Sequence, residues 1–257
     1  MGRMELGDPR FIPFHKNVLA DLGFSLNGDS RILDFGCGAG QMVYSYRRAG
    51  LQALGVDIYN YFEETQARCL SDHLCAPEEE IFQLINIAPY RIPFPDDTFD
   101  FVWSGEVFEH VQNYGEAIAE IHRVLKPRGI CLHEFPSKYC PIEGHIYVPL
   151  AGIFQGRAYL TFWAWLGIRN SFQKRMGFRE VADRNMEYLR SSTNYLTRSE
   201  IASHFKAHFE EVRFVENLFV RHSFRRIRAV YPLTRIWPFF SWVVSTFHTR
   251  FVFCQKG

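Results

Sequence analysis

The residues able to do chemistry fall into two groups. The first is the run Leu33-Asp34-Phe35-Gly36-Cys37-Gly38-Ala39-Gly40, followed by Gln41 and, one strand later, by Asp57. Glycines at this spacing allow positive φ and let a ligand approach the backbone closely. A carboxylate at the tip of the following strand can accept hydrogen bonds from two vicinal ribose hydroxyls. The chemistry implied is the binding of a nucleoside-containing ligand. Dinucleotide sites read G-x-G-x-x-G or A and set a pyrophosphate on a helix N-terminus. Here the run is G-x-G-x-G, and Gln41 stands where the third small residue is needed. A nicotinamide-dependent oxidoreductase is therefore the alternative reading. Asp34 at the loop suits a ligand carrying an ammonium group, reached directly or through water.

The second group is a set of histidines. His110 follows Glu109, His133 lies within Cys131–Phe135, and His145 lies within Glu143–Tyr147. Each can accept a proton near neutral pH. Neighbours along a strand face opposite sides, so His133 is expected to be a satisfied core residue. His110, just past a strand, and His145, in a segment that must cover the pocket, are the candidate general bases. The six cysteines form no CxxC pair, and Cys69, His73 and Cys75 match no zinc spacing, so neither a disulfide framework nor a metal site is expected.

The elements that must hold these residues alternate. Strands are expected at Arg31–Phe35, Leu51–Asp57, Ile81–Ile87, Phe99–Ser104 and Ile130–Phe135. Helices are expected at 13–24, Gln41–Ala49, Glu63–His73 and Glu116–Leu125. The last has Ala117, Ile118, Ile121, Val124 and Leu125 on one face, Asn113 as cap, and a stop at Lys126-Pro127-Arg128-Gly129. Alternation of this kind means parallel pairing. It fails over residues 137–194, read as a helical, aromatic insertion covering the sheet's carboxyl edge and the acceptor site. There Tyr147, Tyr159, Trp163 and Trp165 are candidates either for an apolar pocket or for the insertion's own core. Thr197 and Glu200 form a capping box for a helix ending near Phe205, before strands at Val212–Glu216 and Arg250–Gln255. The whole is expected to be one α/β domain over 1–257: a Rossmann-like, seven-stranded, mostly parallel sheet with a helical insertion after strand 5.

A net charge of +1 argues against nucleic acid as a partner. The stretch 218–249, before the last strand, is different. Arg221, Arg225, Arg226 and Arg228 precede the uncharged aromatic run Ile236–Phe247. That run is too short to span a bilayer, which needs about 20 residues. Residues 221–247 are expected either to pack as core or to touch a membrane surface. No basic region followed by an apolar run opens the chain. The expected location is the cytoplasm, with peripheral contact at a membrane in the case that 221–247 does not pack as core.

Four segments, in order, resemble the class I S-adenosylmethionine-dependent methyltransferases, and within them the type 11 branch similar to ubiquinone and menaquinone biosynthesis enzymes. They are the glycine run 33–40, Gly55-Val56-Asp57-Ile58, the stretch 92–100 running into Glu109-His110-Val111, and Arg123 to Gly129, where Arg128 replaces a more usual glycine. The resemblance covers roughly 30–135. It implies a cofactor, S-adenosylmethionine, and methyl transfer to oxygen, carbon or nitrogen of a small-molecule or lipid-like acceptor; a non-catalytic binding protein is a further alternative. It implies that Asp34, Gly36, Gly38 and Gly40, in a loop with Cys37 and Gln41, hold the methionine part. Asp57 would hold the ribose and Ile58 would flank the adenine. Asn86, as the expected end of the third strand, would meet the adenine edge. Ser104 and Glu106 would lie beside the sulfonium.

Overall fold

The computed structural model describes residues 8, 10–224 and 226–257; Arg225, counted above in the basic stretch, lies outside them. Seven strands form the main sheet: β1 Arg31–Phe35, β2 Gln52–Asp57, β3 Phe82–Leu84, β4 Phe99–Gly105, β5 Leu125–Pro136, β6 Glu211–Phe214 and β7 Thr249–Gln255. Their order is β3-β2-β1-β4-β5-β7-β6. Pairing is parallel from β3 to β5, and β7 runs antiparallel to both β5 and β6. The order reverses between β1 and β4, so a crevice opens beyond their carboxyl ends, where open α/β sheets bind ligands.

Alternating strand residues feed two apolar layers, as the period of 2 requires. Ile32, Phe101, Leu132 and Phe251 face a core shared with the helices α1 Phe11–Asp21, α2 Gln41–Arg48 and α3 Glu63–Ser71. Leu33, Val102, Cys131 and Val252 face the other core, shared with α4 Tyr114–Val124. Burying aliphatic and aromatic side chains on both faces is worth roughly 1.5–3 kcal/mol each. The central strands are therefore pinned, and with them the loops at their ends. Asn113 caps α4 by accepting from the Glu116 N–H, as expected. Near its end, Arg123 donates to Glu120, to Asp96 and to the carbonyls of Ile92 and Phe94. That one side chain fastens the turn leading into β4.

Several expected boundaries need correction: the leading helix ends at Asp21, and the sixth strand ends at Phe214, with Glu216 opening a helix instead. The third strand ends at Leu84, not Ile87. Asn86–Ile87 pairs instead with Tyr90–Arg91 in a separate antiparallel hairpin, closed around Ala88-Pro89. Residues 126–129 do not simply stop α4: β5 already begins at Leu125, and the ladder with β4 is irregular across Phe99–Phe101, with Arg128 at φ 63°.

The insertion contains α5 Arg157–Trp165 and α6 Phe178–Ser191. These two helices bury Leu160, Ala164, Val181 and Leu189 against Ile146 and Val148 in a small core of their own. Tyr159 and Trp163 pack at its edge, whereas Trp165 is exposed. Residues 192–194 buckle the insertion back onto the sheet, since the Asn194 N–H donates to the Glu109 carbonyl at 2.6 Å. The capping box of Thr197 and Glu200 opens α7 Arg198–Lys206. Between β6 and β7 come α8 Glu216–His222, α9 Tyr231–Ile236 and α10 Pro238–Phe247. No helix among the described residues is long and apolar enough to cross a membrane.

Candidate functional site

The loop from β1 into α2 is built from backbone. Gly36, Gly38 and Gly40 all have positive φ (75°, 53° and 76°). At Gly36 a Cβ would stand 2.4 Å from Val107, and at Gly40 2.4 Å from the Phe82 ring. At Gly38 a Cβ would meet nothing within 4 Å, because that residue faces an open cavity. Asp57 stabilises the loop: its Oδ2 accepts from the Gly38 N–H at 2.7 Å and its Oδ1 from the Tyr59 N–H at 3.1 Å. A carboxylate has about four lone-pair directions, so both oxygens retain capacity for a pair of hydroxyls.

The cavity holds about 310 Å³ and sits at the carboxyl edge between β1 and β4. Gly36, Gly38, Asp57, Ile58, Glu106 and His110, all singled out from sequence, line it. Tyr59, Tyr61 and Tyr90, which sequence reasoning did not single out, line it too. Their only signal is aromatic residues just beyond a strand tip. Glu106 is held at φ 59° by donating its N–H to the Glu134 carbonyl at 2.7 Å. A non-glycine residue in this region costs on the order of 1 kcal/mol and is common at functional sites. A larger cavity of about 430 Å³ lies at the amino-terminal edge, between Asn27 and Lys126. It is remote from the glycine loop and from the strand ends where this sheet type binds ligands.

The other expected cofactor residues are near the cavity without lining it. Asp34 is buried beneath the loop, and burial followed by the Asp57 charge pushes its pKa up to about 8. Cys37 is buried, with its Sγ against Gly55. Gly40 packs on Phe82. The Gln41 amide donates to Thr65 Oγ1, which donates to the Ala39 carbonyl, so Gln41 braces the loop from behind. Ser104 is fully buried on His133 Nδ1 at 2.7 Å, and His133 is a core histidine packed against Phe108 and Phe205. Asn86 is exposed in the hairpin and takes no part in lining the cavity.

The two candidate bases meet. The His110 and His145 rings are 4.9 Å apart, edge to face. His110 Nδ1 lies 2.6 Å from the Ser192 carbonyl, which fixes that nitrogen as the protonated one. His145 Nδ1 lies 2.8 Å from Glu143 Oε1. Glu143 is almost fully buried and also accepts from the Tyr195 hydroxyl at 2.6 Å and the Ile146 N–H at 2.7 Å. Burial alone would raise its pKa, but the hydrogen bonds from His145 and Tyr195 outweigh it and hold the carboxyl below its ordinary value. His145, Tyr147 and Tyr188 line another cavity of about 390 Å³ within the insertion. His110 lines the cavity of the glycine loop and His145 that of the insertion, so the paired rings stand between the two.

Glu109 completes this cluster and was not weighed from sequence. It is 1% exposed, neither carboxylate oxygen has a hydrogen-bond partner among the described residues, and His110 Nε2 is 3.8 Å away. Burial, then the charges of Glu106, Glu134 and Glu143, drive its pKa well above the usual range. Glu109, His110 and His145 each bring one ligand atom to within 4.8 Å of the others. That spacing is one a divalent cation could use, at a place where the order of residues shows no metal-ligand pattern.

Comparison with known proteins fits this geometry. A methyltransferase domain family matches residues 33–133. An O-methyltransferase of ubiquinone biosynthesis from Maricaulis maris is 31% identical over 139 residues, covering 49% of this chain and 53% of its own length. A 24-methylenesterol C-methyltransferase of Arabidopsis thaliana is 27% identical over 178 residues, covering 67% of this chain and 47% of its own length. The chain spans between 25% and 53% of the length of the first relatives it matches. Among solved structures, an S-adenosylmethionine-dependent methyltransferase from Mesorhizobium loti has a TM-score of 0.54 at 13% identity, covering 97% of this chain and 99% of that one. A geranyl diphosphate methyltransferase has a TM-score of 0.53 at 16% identity, covering 96% of this chain and 82% of that one. At these identities the two structures establish the fold.

Proposed function

We propose that the protein is an S-adenosylmethionine-dependent methyltransferase acting on a small-molecule or lipid-like acceptor, a reading supported by the methyltransferase-family match over residues 33–133 and by the order of the sheet. The observation that carries this reading is the continuity of one site. The glycine loop and Asp57 open onto the same cavity as Glu106 and His110, and His110 touches His145. Residues present fit the donor: positive-φ glycines leave room for it, Asp57 retains acceptor capacity for ribose, and Ile58 and Tyr59 offer apolar surface beside it. Gln41, committed to Thr65, replaces the small residue a dinucleotide needs, which disfavours the nicotinamide reading.

When bound, the donor supplies a methyl group on a sulfonium that loses its positive charge on transfer. The chain's own work is positioning and charge. The cavity-facing Glu106 makes the site attractive to a cation, and the buried Asp34 adds to this once it gives up its proton. Holding two reactants in line supplies on the order of 7–11 kcal/mol. Glu143 fixes His145 with its proton on Nδ1, leaving Nε2 to accept a proton from the acceptor. The neighbouring His110 ring, seated on the Ser192 carbonyl, holds His145 in place.

The unsatisfied carboxylate of Glu109 favours a second reading of the acceptor side. There Glu109, His110 and His145 would hold a divalent cation, which would lower the acceptor's pKa, while Glu143 and Ser192 orient the two imidazoles. Calorimetry with S-adenosylhomocysteine tests the main reading: binding is expected, and its absence overturns it. Labelled methyl donor with lipid and soluble extracts then identifies the acceptor. Elemental analysis and turnover after chelation separate the two acceptor-side readings, since only the second loses activity on metal removal.

A further inference from the structure

The segment between β6 and β7 takes no part in the site just described, yet its surface is unusual. Residues 218–249 contain five arginines and no aspartate or glutamate. Arg228 and Arg235 are exposed. Directly after Arg235 in the chain, four large apolar side chains stand in solvent: Ile236 is 67% exposed, Trp237 55%, Phe239 62% and Trp242 54%. Isolated exposed apolar residues are ordinary, but a contiguous aromatic group is not. The Phe239 and Trp242 rings lie 5.9 Å apart, and Trp237 stacks on Phe240 at 5.7 Å. From the same helix Val244 turns inward to the core that holds Phe219 and Phe251. So α10 has a buried face that fixes it and an aromatic face left outside.

Its placement is also defined. Ser137, just past β5, donates its Oγ–H to the Thr246 carbonyl at 2.5 Å and its N–H to the His248 carbonyl at 3.3 Å. The end of α10 is thereby tied to the carboxyl edge of the sheet, the edge on which the candidate site opens. The helix has 10 residues, or about 15 Å at 1.5 Å per residue. That is about half a bilayer's hydrocarbon thickness, so it can lie in an interface but not cross it.

We propose that α9 and α10 form a docking surface for an anionic lipid bilayer, with Trp237, Phe239 and Trp242 in the headgroup layer and Arg228 and Arg235 on lipid phosphates. Tryptophan suits that layer because its ring is apolar while its N–H needs a polar partner. Charge decides against a second copy of this chain. Two such faces would bring arginines together with no carboxylate from the segment to pair them, whereas an anionic surface attracts each one. Docking does not depend on the methyl-transfer reading. Its consequence does: with the site's edge against the bilayer, the acceptor is drawn from the lipid phase.

The test is flotation of the full chain with vesicles of phosphatidylcholine alone and of phosphatidylcholine mixed with phosphatidylglycerol. Wild type is expected to float only with the mixed vesicles, to be released by high salt, and to show blue-shifted tryptophan emission on binding. The doubles W237A/W242A and R228E/R235E should each lower partitioning about tenfold or more, at about fivefold per arginine contact. Both should bind S-adenosylhomocysteine like wild type, which shows that they fold. The proposal is overturned if wild type ignores anionic vesicles, or if both doubles float as well as wild type. It is equally overturned if wild type is a dimer that the tryptophan substitutions split. Vesicle binding without S-adenosylhomocysteine binding would sink the methyl-transfer reading alone.

Discussion

The proposed donor side and the proposed acceptor side of this site are built by different means. The donor side is a backbone device: three glycines at positive φ and Asp57, which clamps the Gly38 N–H, all between residues 36 and 57. The acceptor side is a side-chain device assembled from three distant places: Glu109 and His110 past β4, Glu143 and His145 at the start of the insertion, and Ser192 and Tyr195 at its end. A backbone device leaves a compact signature because only certain residues adopt its conformation. A side-chain device leaves none, because any fold that brings the groups together will serve.

If the two sides are separable, substitutions should divide cleanly between donor affinity and turnover. The largest effect is expected at His145. His145→Gln should lower turnover about 10²–10⁴-fold, the usual contribution of a general base, with S-adenosylhomocysteine affinity unchanged by calorimetry. An equal loss in both would break the comparison. Next comes Gly40→Ala, which forces a Cβ onto the Phe82 ring at positive φ. It should cost about 2–4 kcal/mol of stability, read as a lower midpoint in denaturant. Asp57→Ala should weaken donor affinity about 10–100-fold, the worth of one or two hydrogen bonds to a charged acceptor.

A pH effect sharpens the contrast further. Asp34 keeps its proton up to about pH 8 in the free protein. An ammonium bound beside it would expel that proton, so S-adenosylhomocysteine affinity should rise by up to about tenfold per unit from about pH 6 to 7.5, while the ligand's amine stays charged. Asp34→Asn should flatten that slope; an unchanged slope in the variant would remove Asp34 from donor binding. In the free protein the same raised pKa works against folding. The folded state holds the proton that the unfolded chain has released, so this group's contribution falls as pH rises from 3.8 toward 8 and then levels off. The smallest effect is expected at Gly38→Ala, about 1 kcal/mol in stability, because only its φ of 53° resists and the new Cβ points into open space. A cost as large as at Gly40 would show that Gly38 is packed rather than exposed to ligand.

The sequence reading was good where local rules dominate. β1 has the expected bounds, α7 begins at the expected capping box, and the glycine run forms the expected turn. It was weaker where chain neighbours do not decide. Asn86 looked like a strand end because Ile81–Ile87 is apolar enough to continue, but the hairpin with Tyr90–Arg91 takes the backbone of Asn86 and Ile87 instead. Ser104 lies on the right strand but turns inward to His133, a choice set by the pleat and invisible in composition. Tyr159 and Trp163 went to the insertion's own core, since helices that lie outside both sheet cores must bury apolar surface of their own.

By itself the chain's residue order determined the sheet's alternation, the glycine turn and the acidic tip beside it, because φ preference, periodicity and strand length act within a few residues. Only the tertiary structure decided that His110 and His145 share one spot, that Glu109 is buried without a partner, and that Glu143 points one imidazole. Those facts depend on how the insertion folds back onto β4 through residues 192–194. Packing between segments far apart in the chain sets that closure, and no local rule encodes it.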